Sequence, residues 1–168
     1  MVTVAIELFG EDRFVRAFNR IASDEDLSVP LASIYEDFTA MNNRTFIGAG
    51  YPKHWVALSA KYEAWKRANY PNSPIMVLRG DLKASLASEG GPGMGEGAIR
   101  EIHPQDAYFG TSIRYAAAHQ WGYPPHNLPQ RKVVQITDPD KVRWGQIIQR
   151  WYVRKLKAAT VEGGATPA

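Results

Sequence analysis

The sequence contains no cysteine, which excludes disulfide bonds and the usual thiolate zinc sites. Long apolar runs are missing as well. The alternating apolar residues at the start of the chain, residues 2–8, are interrupted by Thr3 and Glu7 and are too short for a signal peptide or a membrane-spanning helix. We therefore expect no membrane partner, and the lack of cysteine is compatible with assembly in a cytosol.

Neither sign of charge is in large excess, since the net charge is +3 in 168 residues. A mildly basic chain of this kind tolerates nucleic acid as a partner without requiring it. The length fits one domain with a substantial core, and we expect that domain to cover residues 1–157. Glycine, alanine, threonine and proline dominate the end of the chain, which predicts a disordered tail over residues 158–168.

Hydrophobic periodicity predicts a strand and two helices in the first part of the chain. The strand covers residues 2–8, and the first helix has its apolar positions at Phe14, Ala17, Phe18 and Ile21. A second helix begins near Pro30 and has a buried face formed by Leu31, Ile34, Phe38 and Met41. A loop over residues 46–52 leads to Trp55, and a third helix follows through Tyr62, Trp65 and Lys66.

The second part of the chain alternates short elements irregularly. We expect a strand at 75–78, a short helix at 81–86, a mobile glycine-rich loop at 89–97 and a hairpin with arms at 98–103 and 107–111. A helix over 114–121 stops at Gly122, a strand follows at 132–136, and Asp138 caps the last helix. The pattern predicts an α+β fold: a small mixed or antiparallel sheet packed by several helices, with a long C-terminal amphipathic helix.

Four short motifs occur in order along the chain, and together they resemble the phage virion morphogenesis family. They are Trp-x-x-Leu-Ser at 55–59, Leu-x-Gly-x-Leu-x-x-Ser at 78–85, Tyr-Ala-x-x-His-Gln-x-Gly at 115–122 and Pro-x-Arg at 129–131. The chain departs from the family pattern at Arg79, where serine or threonine usually precedes the glycine, and at Gln130, where a small residue is common. The motif positions carried over are Trp55, Leu58, Ser59, Gly80, Leu82, Tyr115, His119, Gln120, Gly122 and Arg131.

The resemblance implies a structural protein of the head–tail junction of a tailed phage, either a neck protein or a tail-completion or tail-terminator protein. Such a protein would assemble in the bacterial host cytoplasm and act in the virion as a homo-oligomeric ring, hexameric or dodecameric. Its implied partners are the head connector or stopper proteins and the tail tube proteins, with non-specific contact to genomic DNA. The resemblance implies no enzymatic activity and no cofactor.

Three patterns formally suggest chemistry, and each has a simpler explanation. Gly93-x-Gly95-x-x-Ala98 matches a dinucleotide fingerprint, but neither a preceding strand nor a following helix is predicted there. His103, His119 and His126 with Asp106 lack metal-ligand spacing, and for His119 we expect hydrogen bonding to backbone near the following loop. Ser59 and Ser85 lack a nucleophile elbow, so helix capping or hydrogen bonding at a helix start is the expected use of both.

The last helix has an apolar side and a basic side. Trp144, Ile148, Trp151, Tyr152 and Leu156 share one face, while the other carries Arg143, Arg150, Arg154 and Lys157 with no acidic residue between positions 141 and 157. A solvated basic surface explains this pattern, and so does contact with DNA phosphates or an acidic partner. A small basic DNA-binding module that uses this helix is therefore the alternative to the virion role.

The chain has five tryptophans, which is many for one small core. Large aromatic side chains fill cores, but they also concentrate at the centres of protein interfaces. Both uses remain open from the sequence.

Overall fold

The computed structural model of the protein describes residues 2–4, 26–87 and 95–162, and the side chains of 26–87 and 95–155. Three predictions fall mainly outside these residues: the rest of the first strand with the first helix, most of the glycine-rich loop, and the end of the C-terminal tail. The described residues form three strands, β1 (Val2–Val4), β2 (Ala98–Ile102) and β3 (Ala107–Thr111). The helices are α1 (Ser28–Ile47), α2 (Ala60–Asn69), α3 (Asp81–Ala87), α4 (Arg114–Trp121) and α5 (Asp138–Glu162).

The three strands form one small sheet in the order β1-β3-β2. β1 runs antiparallel to β3, with Val2 opposite Thr111, and the amide of His103 donates to Asp106 O in the predicted turn of the β2–β3 hairpin. Helices make up most of the rest, so the α+β class with a long C-terminal helix is confirmed.

Helix α1 begins after Asp26, whose carboxylate accepts hydrogen bonds from the amide and hydroxyl of Ser28. The predicted apolar face, Leu31, Ile34, Phe38 and Met41, is buried. The loop predicted at 46–52 begins later than expected, because the helix continues to Ile47. Phe46 is buried edge-on against Trp55, with ring centroids 5.5 Å apart, so its side chain contributes to the core as part of the helix.

The described residues fall into two compact units. The first comprises 2–4, 35–87, 95–101 and 108–135, and the second comprises 26–34, 102–107 and 136–162. The first unit contains a buried aromatic cluster, in which Phe109 is 5.1 Å from Tyr35 and 5.7 Å from Phe38 between ring centroids. Ser85 and Thr111 share a buried hydrogen bond of 2.8 Å that joins α3 to β3.

Two predicted strands are absent from the described structure. Residues 75–78 form turns, with Met76 at a positive φ of 62° and the Val77 amide bonded to Pro74 O, so the segment is not extended. Residues 132–136 are irregular because the amides of Val133 and Val134 donate to the side chain of Gln120 instead of to a neighbouring strand. Short apolar runs predict burial in both places, but burial did not require a strand.

In the second unit, Asp138 is the first residue of α5 rather than its cap. The carboxylate of Asp140 accepts from the amide of Thr137 at 2.8 Å, and Thr137 O accepts from the amide of Lys141. Trp144 and Ile148 are buried, as the periodicity predicted. The helix extends to Glu162, so residues 158–162 are helical where a disordered tail was predicted.

Candidate functional site

The first unit contains a cleft of about 790 Å³. Its walls come from the start of α2, the turns at 76–80, the start of α3, one face of α4 and the segment 126–131. Seven of the ten motif residues line it: Leu58, Ser59, Gly80, Leu82, Tyr115, His119 and Arg131. Four motifs that are spread over residues 55–131 of the sequence therefore meet at one place.

Arg131 joins two walls of the cleft. Its guanidinium donates from Nε to Val56 O at 2.7 Å and from Nη2 to Ala57 O at 2.9 Å, while its backbone amide donates to His119 O at 2.8 Å. The side chain is only 5% exposed, and burial lowers its pKa. Arginine nevertheless remains charged in proteins, so this residue places a fixed positive charge at the cleft.

The side chain of Gln120 forms hydrogen bonds with the backbone of the segment that follows Arg131. Its side-chain oxygen accepts from the amides of Val133 at 2.9 Å and Val134 at 3.1 Å, and its Nε2 donates to Val134 O at 2.9 Å. Trp55 adds a hydrogen bond from its indole nitrogen to Lys132 O at 2.7 Å. These two motif residues do not line the cleft, but they fix the backbone that carries Arg131.

Gly122 allows the chain to turn back after α4. Its φ is +80°, and a Cβ at this position would lie 3.2 Å from Gln130 N and 3.3 Å from Leu128 O. Both the conformation and the close approach favour glycine. The turn returns the chain through Leu128, whose carbonyl accepts from the amide of Tyr123 at 2.9 Å, so that Arg131 reaches the cleft.

His119 lies on α4 with its ring edge-on to Tyr115. Its Nδ1 atom is buried and has no hydrogen-bond partner among the described residues. The predicted hydrogen bond from its side chain to nearby backbone is therefore wrong for this atom, and its neighbour Gln120 makes such contacts instead. Burial, followed by the positive charge of Arg131, lowers the pKa of His119.

Lys66 is a cleft residue that belongs to none of the four motifs. It was predicted only as part of a helix, yet it is 5% exposed and donates from Nζ to Pro74 O at 2.5 Å. Burial lowers its pKa. Neither Lys66 nor Arg131 forms an ion pair with a carboxylate of the described residues. No periodicity argument identifies this site, because the burial of Lys66 depends on the turn that brings Pro74 back to α2.

The two serines considered as nucleophiles have structural roles. Ser59 caps α2, with its hydroxyl oxygen accepting from the Tyr62 amide at 3.4 Å, as predicted. Ser85 does not cap a helix. It lies inside α3, donates to Leu82 O at 3.0 Å and shares a hydrogen bond with Thr111.

The basic stripe belongs to the second unit. Arg143 forms an ion pair with Asp140 at 2.6 Å, and Arg150 donates from Nε to its own helix at Gln146 O. Arg154 is exposed, and the side chain of Lys157 lies outside the described part of the structure. The structure therefore shows that at least one of the four cations has an acidic partner within its own helix.

Among the side chains that the structure describes, in residues 26–87 and 95–155, no group of three histidine or acidic side chains is placed to hold a metal ion. Over the same part of the chain, each helix is too short or too polar to span a bilayer. No protein-family model matches the sequence, and no curated protein and no solved structure matches it significantly.

Proposed function

We propose that this chain is a structural protein of a tailed-phage virion that acts at the head–tail junction as a neck or tail-completion protein. In this role it has no enzymatic activity and needs no cofactor. Copies of the chain form a ring, hexameric or dodecameric, between the head connector or stopper and the tail tube. We assign contacts with neighbouring subunits to the segments 89–97 and 122–130, the first of which lies mostly outside the described residues.

The observation that carries this proposal is the convergence of the motif residues. Trp55, Gln120 and Arg131 connect three separate motifs through hydrogen bonds to backbone, and seven motif residues line one cleft. A chance set of short matches would fall at unrelated places in the fold. Residues that form one framework are instead what a true family pattern requires, which supports the resemblance and the role that it implies.

Exposed aromatic side chains in the first unit support assembly. Trp121 is 68% exposed at the end of α4, and Tyr62, Trp65, Tyr115 and Tyr123 are also exposed. Large aromatic residues are typical of the centres of protein interfaces, where they bury much area at low entropic cost. A ring would bury such side chains between subunits.

Electron microscopy of particles produced from the phage genome with this gene interrupted tests the proposal. We expect filled heads beside unattached or overlong tails, and restoration of joined particles when the intact gene is supplied separately. Normal infectious virions from the interrupted genome would contradict the proposal.

The alternative of a DNA-binding module that uses the last helix has less support. Arg143 is paired with Asp140, which leaves fewer free cations on the stripe than the sequence suggested. Salt-dependent binding of duplex DNA by the purified chain, lost when Arg150 and Arg154 are replaced by glutamate, would favour this alternative.

A further inference from the structure

The cleft of the first unit contains two cationic side chains that are almost completely buried. Lys66 and Arg131 are each 5% exposed, and the groups that accept their hydrogen bonds are the backbone oxygens of Pro74, Val56 and Ala57. Carbonyl oxygens satisfy donors but do not neutralise charge. Buried charges are costly unless they are paired, so two positive charges without an acidic partner among the described residues favour the binding of an anionic group in this cleft.

Lys66 and Arg131 have further hydrogen-bond donors that a ligand in the cleft could use. A lysine ammonium has three donors, and Lys66 uses one for Pro74 O. Arg131 uses Nε and Nη2, while Nη1 has no partner among the described residues. His119 also lines the cleft, but its Nδ1 atom is buried, so the available donors are those of Lys66 and Arg131. The wall is therefore suited to a group that accepts hydrogen bonds and carries negative charge.

The size and lining of the cleft indicate more than a small inorganic ion. Its volume of about 790 Å³ is within the range of about 300–1,000 Å³ that is typical of ligand pockets. Apolar side chains share the walls with the cations, among them Leu58, Val77 and Leu128. Asp81 also lines the cleft and would repel a multiply charged phosphate more strongly than a single carboxylate.

We propose that this cleft binds an extended acidic segment of a partner protein, with an aspartate or glutamate carboxylate contacting Lys66 and Arg131. The apolar walls would contact the neighbouring side chains of that segment. Duplex DNA fits less well, because phosphate contacts require cations that reach outward and these two are buried. The proposal goes beyond the virion role and does not depend on it.

A fluorescein-labelled hexaglutamate peptide, blocked at its other terminus, is the probe, and fluorescence anisotropy with the full chain at low salt is the measurement. We expect saturable binding that hexaglutamine does not compete. Lys66→Met keeps the length and apolar stem of the side chain and removes a buried charge, and it should weaken binding at least about tenfold. Arg67→Met is the matched control, since Arg67 is the next residue on α2, has a side chain that is 79% exposed and is paired with Glu63. It should change binding by less than about twofold.

If Lys66→Met fails to fold, Asp81→Asn provides a second variant, because Asp81 is exposed and lines the same cleft. Removing its negative charge should strengthen hexaglutamate binding about twofold. Weaker binding of hexaglutamate by Asp81→Asn than by the unchanged protein would overturn the proposal. A failure to bind at about 1 mM peptide would also overturn it, as would equal losses of hexaglutamate binding in Lys66→Met and Arg67→Met. Stronger competition by inorganic phosphate or by a short DNA duplex than by unlabelled hexaglutamate would overturn it as well.

Discussion

His119 has a buried ring nitrogen without a partner among the described residues and lies near the guanidinium of Arg131. Burial and that positive charge lower its pKa in the folded state, while the unfolded chain keeps a value of about 6.5. At pH values between these two pKa values, His119 binds more protons in the unfolded state than in the folded state. The contribution of His119 to the free energy of unfolding therefore falls as the pH drops below about 6.5, until the folded-state pKa is reached.

Replacing His119 with glutamine removes this contribution. We expect the loss of stability between about pH 7.5 and about pH 5.5 to be smaller in His119→Gln than in the unchanged protein, as measured by urea unfolding at both pH values. His126→Gln is the control, since His126 is an exposed residue that lines the same cleft. An identical pH dependence in the unchanged protein and in His119→Gln would show that His119 does not titrate in this way.

The backbone of the segment after Arg131 forms its hydrogen bonds with a side chain. In a strand, the same backbone groups would bond to a neighbouring strand. Gln120 satisfies two buried amides and one carbonyl of Val133 and Val134. Each buried polar group left unsatisfied costs about 1–3 kcal/mol. We therefore expect Gln120→Met, which has a similar size, to lower the free energy of unfolding by at least about 2 kcal/mol in urea denaturation.

Gln130→Met is a matched control for this prediction. Gln130 is exposed and donates one hydrogen bond, from Nε2 to Gln120 O at 2.9 Å, so its loss should cost less than about 1 kcal/mol. Hydrogen exchange of residues 132–135 should accelerate in Gln120→Met and not in the control. Equal effects of the two substitutions would argue against a special role of Gln120.

Elements with strong local signals could be predicted from the sequence, and elements that depend on distant partners could not. The hairpin and the helix that ends at Gly122 are set by turn residues and by a glycine at positive φ, all within a few residues. The irregular segment at 132–136 depends on Gln120, and the burial of Lys66 depends on Pro74. The resemblance identified the motif residues of the cleft from the sequence. That they lie together in one cleft could be seen only in the folded structure.

The exposed aromatic side chains of the first unit bear on self-association more than on the stability of a single chain. Trp121 is 68% exposed at the end of α4, next to the loop that we assign to subunit contacts. A tryptophan at an interface centre is often worth at least about 2 kcal/mol of binding free energy, whereas an exposed one adds little to the stability of its own chain.

If this chain forms a ring, Trp121→Ser should weaken its self-association by at least about tenfold while the midpoint of thermal unfolding stays nearly unchanged. Sedimentation velocity over a range of protein concentrations measures the first effect, and circular dichroism measures the second. Val142→Ser is the control, because Val142 is 61% exposed but belongs to the second unit, to which we assign no subunit contact. Unchanged association of Trp121→Ser would remove Trp121 from the interface. A monomer at every concentration would contradict spontaneous ring formation by the isolated chain, and assembly would then require the connector or the tail tube as a template.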